Sequence, residues 1–104
     1  MTKYEKLYHE IAASIPDCKE SKMFGALCIK APNGKAGVMF KDDDMIFKLT
    51  GEKEQEALAL KGAHYFDPMG ARPMNGWVQI PNSHAAQWST FASVTMDLVK
   101  KIKK

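Results

Sequence analysis

The residues with most to offer chemically lie in one stretch, Asp67-Pro68-Met69-Gly70-Ala71-Arg72-Pro73-Met74-Asn75-Gly76-Trp77-Val78-Gln79-Ile80-Pro81. Arg72 sits among prolines and methionines. Pro68 and Pro73 stiffen the backbone by fixing φ, and Gly70 and Gly76 let it bend. A guanidinium held this way presents a fixed fork of donors to a carboxylate or a phosphate. Trp77 follows, and Trp and Arg are the side chains enriched at binding hot spots. An ordered loop from Asp67 to Gly76 is long for a compact domain, and such loops carry function disproportionately. It therefore reads as a candidate binding surface made of Met69, Arg72, Met74 and Trp77. A packing reading stands beside it. In that reading Met69 and Met74 fill core gaps, Trp77 lies on the last helix, and Arg72 bonds loop carbonyls.

The other chemically capable side chains form weaker patterns. The three histidines, His9, His64 and His84, make no His-x-x-x-His or His-Glu-x-x-His spacing. His64 and Asp67 are close in sequence, but a zinc site needs three or four ligands. Asp42-Asp43-Asp44 collects carboxylates in a short turn, which offers too few oxygens for calcium. It reads instead as a solvated turn. Ser83 and His84 adjoin without a third group to orient a base, and a helix cap accounts for Ser83. Gly34-Lys35-Ala36-Gly37 lacks the strand-loop-helix setting of a phosphate loop. Of the two cysteines, Cys28 falls inside an apolar strand pattern. Both are expected as reduced thiols, with Cys28 a small core residue. No catalytic residue, cofactor or metal set is assigned.

The elements that must position these groups are legible in outline. Thr2-Lys3-Tyr4-Glu5 has capping-box spacing. Tyr4, Leu7, Tyr8, Ile11 and Ile15 then recur at helical spacing until Pro16 stops the helix near Ser14. Three strands follow: Met23 to Ile29, Ala36 to Lys41 and Met45 to Thr50. The first two are joined through Pro32-Asn33-Gly34-Lys35, whose Asn-Gly pair is a strong hairpin signal. Met45, Phe47 and Leu49 share one face of the third strand, opposite Lys48 and Thr50, which predicts a sheet covered on one side. A helix over Lys53 to Lys61 ends before Gly62. After the loop comes a strand at Trp77 to Ile80. A last helix, about His84 to Lys101 and capped by Asn82 or Ser83, carries the stripe Trp88, Phe91, Ala92, Thr95, Leu98, Val99 and Ile102. The reading is one α+β domain over 1–104, an antiparallel β-meander in the order α-β-β-β-α-β-α with helices on one face.

These residues also carry a family resemblance. Met23-Phe24-Gly25, Gly37-x-Met39-Phe40, Ile46-Phe47-Lys48-Leu49 and Phe66-Asp67-Pro68…Arg72-Pro73-Met74-x-x-Trp77-Val78-x-Ile80-Pro81 resemble the TfoX N-terminal domain family. The likeness runs over about residues 4 to 100 and takes in Trp88 and Ala92 of the last helix. It implies an α+β fold similar to secretion-chaperone-like domains, which often work by binding protein. The family is named for regulators of natural competence that carry a further C-terminal domain. A role in competence is therefore not carried over, and no catalytic residue of the family is available to transfer.

Composition narrows the function classes. One hundred and four residues with 45% hydrophobic and 26% charged side chains fit one globular domain. No apolar run approaches the ~18 residues of a membrane span, and the start lacks the apolar region of a signal peptide. A cytoplasmic location is expected. The net charge is +3, but Lys100, Lys101, Lys103 and Lys104 supply four of fifteen basic residues, leaving eleven against twelve acidic ones. A near-neutral body argues against nucleic acid, and a basic tail suits the negative end of a helix dipole. The expected activity is protein binding or regulation without catalysis. A small anionic ligand held by the Arg72 loop is the alternative, and nucleic-acid binding through the tail a weaker one. A homodimer through an open sheet edge is also open.

Overall fold

The computed structural model describes residues 2–15, 17–23, 26–67 and 76–101. Helix α1 spans Lys3–Ser14, and the Thr2 hydroxyl caps it by accepting from the Glu5 N–H at 3.1 Å. Four strands follow: β1 (Lys19–Met23), β2 (Ala26–Lys30), β3 (Ala36–Lys41) and β4 (Asp44–Lys48). Helix α2 (Gly51–Leu58), a short β5 (His64–Tyr65) and β6 (Trp77–Ile80) come next. A 3₁₀ turn over Asn82–His84 leads into α3 (Ala85–Lys100). The strands form one antiparallel sheet in the order β1-β2-β3-β4-β6-β5.

The α+β class and the placing of the helices on one face agree with the sequence reading. Tyr8 and Ile11 of α1, Ala57 of α2, and Trp88, Ala92 and Val99 of α3 share a core with Val38, Phe47 and Val78 of the sheet. The sheet is richer than the order α-β-β-β-α-β-α. Strands β1 and β5 are additions, and the expected strand Met23 to Ile29 begins only at Ala26. Both additions are outermost strands. Lys19-Glu20-Ser21-Lys22 shows no apolar alternation because an outer strand has little surface to bury, and β5 is too short to hold a pattern.

The expectation of a sheet covered on one side also needs correction. Cys28, Met39, Ile46 and Phe66 are buried together on the face away from the helices. Their strands alternate between two apolar sets, so β2, β3 and β4 bury residues on both faces.

Helix α3 lies close over β3 because β3 carries a bulge. Ile29 pairs with Val38 but Lys30 with Ala36, which leaves Gly37 as the extra residue. A Cβ on Gly37 would lie 2.7 Å from Val99 Cγ2 and 2.9 Å from Met96 Sδ. The bulge and the missing side chain together let the helix settle on the sheet. At its start α3 has no side-chain cap from Asn82 or Ser83; the 3₁₀ turn takes that place. The His84 ring donates from Nε2 to the Lys61 carbonyl at 2.8 Å, and the Trp88 indole N–H donates to the Ile80 carbonyl at 3.3 Å. Among the described residues no helix is long and apolar enough to cross a membrane.

Candidate functional site

Of the four residues proposed for the binding surface, Trp77 is described, while Met69, Arg72 and Met74 lie outside the described residues. Trp77 opens β6. Alternation along that strand sends Val78 and Ile80 into the helix-side core and leaves Trp77 on the opposite face. The packing reading, in which Trp77 rests on the last helix, is thus corrected: Trp77 packs against the second-face cluster, on the side of the sheet away from α3.

That face is built by register. Cys28 pairs with Met39, Met39 with Ile46, Ile46 with Gln79 and Gln79 with His64, so one row crosses the sheet. Beside it Lys48 pairs with Trp77, and the Lys48 ammonium stands 5.8 Å from the Trp77 ring centre. Lys41 follows Met39 on the same side of β3, with its ammonium 6.0 Å from the Phe66 ring. The Phe66 N–H donates to the Trp77 carbonyl at 2.7 Å, which holds the two rings' backbones side by side. Each cation–ring contact contributes about 0.5–1 kcal/mol at a partly exposed site. The result is two aromatic rings, Phe66 buried and Trp77 half-buried, each beside a lysine.

The sequence pointed to Trp77 but missed Lys41, Lys48 and Phe66. The available signal was the period-2 alternation in Ile46-Phe47-Lys48, which puts Lys48 on the helix-free side. Its pairing with Trp77 depends on β6 adding to β4, which local patterning does not reveal.

The acidic turn has a structural role as well. Asp44 Oδ1 accepts the Asn82 N–H at 2.9 Å, and its Oδ2 accepts from Gln79 Nε2 at 2.9 Å. Asp44 therefore ties β4 to the end of β6 rather than pointing into solvent. His64 donates from Nδ1 to the Gly62 carbonyl at 3.0 Å. Among the described residues no three His, Cys, Asp or Glu side chains gather in a metal-binding arrangement.

Both cysteines are free thiols. Burial pushes the Cys28 thiol up, against smaller opposing effects from Lys30 and Ser21, and burial likewise pushes Cys18 up. A thiol shifted this way stays protonated at neutral pH and is a poor nucleophile. Cys18 borders a cavity of about 840 Å³ shared with Asp17, Lys19, Glu20, Ser21 and Lys30. That cavity lies along β1, four strand spacings or roughly 19 Å across the sheet from Trp77. Comparison with family models, with curated proteins and with solved structures finds no match to this chain.

Proposed function

We propose that this chain is a non-catalytic, cytoplasmic bacterial domain of the TfoX N-terminal type that acts by binding a protein, with regulation as the consequence. The observation that carries the reading is the half-buried Trp77 ring beside the Lys48 ammonium on the face opposite the described helices. An aromatic ring with a cation at its side is the kind of group that anchors an interface. Met69, Arg72 and Met74 come shortly before Trp77 in the sequence. The raised thiols support the non-catalytic part of the reading, because they remove the two sulfur nucleophiles at neutral pH. A small anionic ligand is the second reading, favoured by the Lys41 and Lys48 ammonium groups on one face.

The test is affinity capture from bacterial cytoplasm with wild type, Lys48→Glu and Arg72→Glu, each verified as folded by circular dichroism. A protein retained by wild type and lost by both variants supports the reading. Identical captured sets from all three overturn it. Stabilisation of wild type by inorganic phosphate or a dicarboxylate, absent from both variants, selects the anion reading instead.

A further inference from the structure

We infer that strand β1 is a self-association edge, which pairs antiparallel with β1 of a second copy of this chain about a two-fold axis through Ser21. This does not depend on the Trp77 face, which lies toward the other side of the sheet.

Among the described residues the sheet has two edges of unequal quality. β5 offers two residues, whereas β1 offers five, Lys19–Met23. β1 pairs with β2 in unbroken register, from Lys19↔Lys30 to Met23↔Ala26, so it has no bulge to turn its outer side away. It also has no proline, so each residue keeps its N–H. Lys19, Glu20 and Lys22 are exposed.

Exposed lysines on an edge usually discourage pairing. Here their placement selects one register. Two antiparallel strands related by a two-fold must set residues of the same face opposite each other, so the axis passes through a residue and not between two. An axis at Lys19, Glu20 or Lys22 places like charges directly opposite, which is unfavourable. An axis at Met23 pairs only the end next to the β1–β2 connection. An axis at Ser21 sets Glu20 against Lys22 of the second copy and Lys22 against its Glu20. Opposite charges meet twice on the helix-side face, while Ser21 meets Ser21 on the other face. Glu20 is already held on the helix-side face, since its Oε1 lies 2.5 Å from His9 Nδ1. A carboxylate has acceptor sites enough for both the imidazole and an incoming lysine. The product is two six-stranded sheets joined edge to edge with helices on one side.

The test is charge reversal read by sedimentation equilibrium. Wild type is expected to dimerise reversibly. Lys22→Glu and Glu20→Lys each set two like-charge pairs across the axis and raise the dimer dissociation constant about tenfold or more. The double variant Glu20→Lys/Lys22→Glu restores complementarity and returns the constant toward wild type. Lys19→Glu, opposite Met23 in this register, changes it little. Hydrogen exchange gives a second readout that does not need the variants: amides of residues 19–23 exchange more slowly in concentrated than in dilute wild type. A wild type that stays monomeric at about 200 µM, well above the micromolar range of ordinary specific complexes, overturns the proposal. So does a dimer whose constant ignores the reversals or is not rescued by the double variant.

Discussion

The Asn33 carboxamide donates from Nδ2 to the Val99 carbonyl at 2.9 Å, joining the β2–β3 turn to the last turn of α3 across 66 residues of sequence. The same side chain accepts the Lys35 N–H through Oδ1 at 2.9 Å. One residue therefore shapes its own turn and satisfies a carbonyl at a helix end, where four carbonyls lack intrahelical partners. Asn33→Ala removes both bonds. It is expected to cost about 1–2 kcal/mol, lowering the melting temperature by roughly 4–8 °C for each kcal/mol in a domain of this size. Thermal melts of the two proteins check it, and an unchanged midpoint would show that water replaces the side chain without cost.

Gly37 controls how closely α3 approaches the sheet. The three atoms a Cβ would meet are Val99 Cγ2 at 2.7 Å, Met96 Sδ at 2.9 Å and Thr95 Cγ2 at 3.1 Å. Methionine can swing aside, but a β-branched valine in a helix is nearly confined to one rotamer. Gly37→Ala is therefore expected to destabilise by about 1–3 kcal/mol through overpacking. Adding Val99→Ala removes the worst contact, so the double variant should be more stable than the sum of the two single losses implies. Urea titrations of the four proteins measure the coupling. Strict additivity would mean that the helix shifts as a body and Val99 is not the obstacle.

The two central hairpins show where local sequence signals suffice and where they do not. Asn33-Gly34 marked a turn correctly, but the turn is not a two-residue loop. Gly34 N–H donates to the Ala31 carbonyl and Ala31 N–H to the Lys35 carbonyl, both at 2.9 Å. Pro32 and Asn33 occupy the corners, and only Gly34, at φ 83°, is left-handed. This is a type I turn followed by a glycine bulge. The tight two-residue loop belongs instead to Asp42-Asp43, at φ 54° and 63°, closed by the pair Lys41↔Asp44. Two aspartates in that conformation are less usual than Asn-Gly. Part of what holds them is distant, since the Thr2 hydroxyl donates to Asp43 Oδ1 at 2.7 Å. The helical stripe on α3 was legible because each buried residue faces one sheet. β1 was not, because an outer strand has little apolar surface to hide. At the candidate site residue type singled out Trp77 beside the proline- and glycine-rich segment, but Lys48 becomes its neighbour only through tertiary pairing.

The two tryptophans occupy opposite faces, and this difference is measurable. Trp88 is fully buried, with its indole N–H bonded to Ile80, whereas Trp77 is half-buried beside Lys48. Acrylamide should quench the native fluorescence in two components, one accessible and one protected. Trp77→Phe is expected to abolish the accessible component and leave stability within about 1 kcal/mol, since a ring remains beside the lysine. Lys48→Glu should increase quenching by the cation caesium and decrease quenching by iodide, because the charge next to the accessible ring changes sign. If iodide and caesium respond equally in both proteins, Lys48 does not stand over Trp77 in solution.

Tyr8 joins an energetic cost to a pH dependence. Its ring is fully buried and lies 5.3 Å from Phe40 in a stacked arrangement, while its hydroxyl has no hydrogen-bond partner among the described residues. A buried polar group without a partner loses its hydration uncompensated, at about 1–3 kcal/mol. Tyr8→Phe keeps the ring and removes that cost, so stability at pH 7 should be unchanged or higher by about 1 kcal/mol. Burial, with Glu20 and Cys28 adding smaller repulsions, raises the Tyr8 phenol far above its ordinary value of 10.0. Burial also raises the Cys28 thiol above its ordinary 9.0. In both cases the folded state favours the protonated form, so the unfolded chain ionises first. The contribution to stability is constant below the ordinary value and is lost as pH rises beyond it. Wild type should therefore weaken from about pH 9 as the contributions of Cys28 and of Cys18, raised likewise, are lost, and more steeply above pH 10 as the phenols join. Tyr8→Phe should retain the thiol part and lose the Tyr8 share of the phenol part, leaving the share of Tyr65, which burial and Glu54 also raise. Urea midpoints at pH 7, 9, 10 and 11 test both halves at once. A Tyr8→Phe protein less stable than wild type at pH 7, with an unchanged alkaline limb, would mean that the hydroxyl is hydrated in solution.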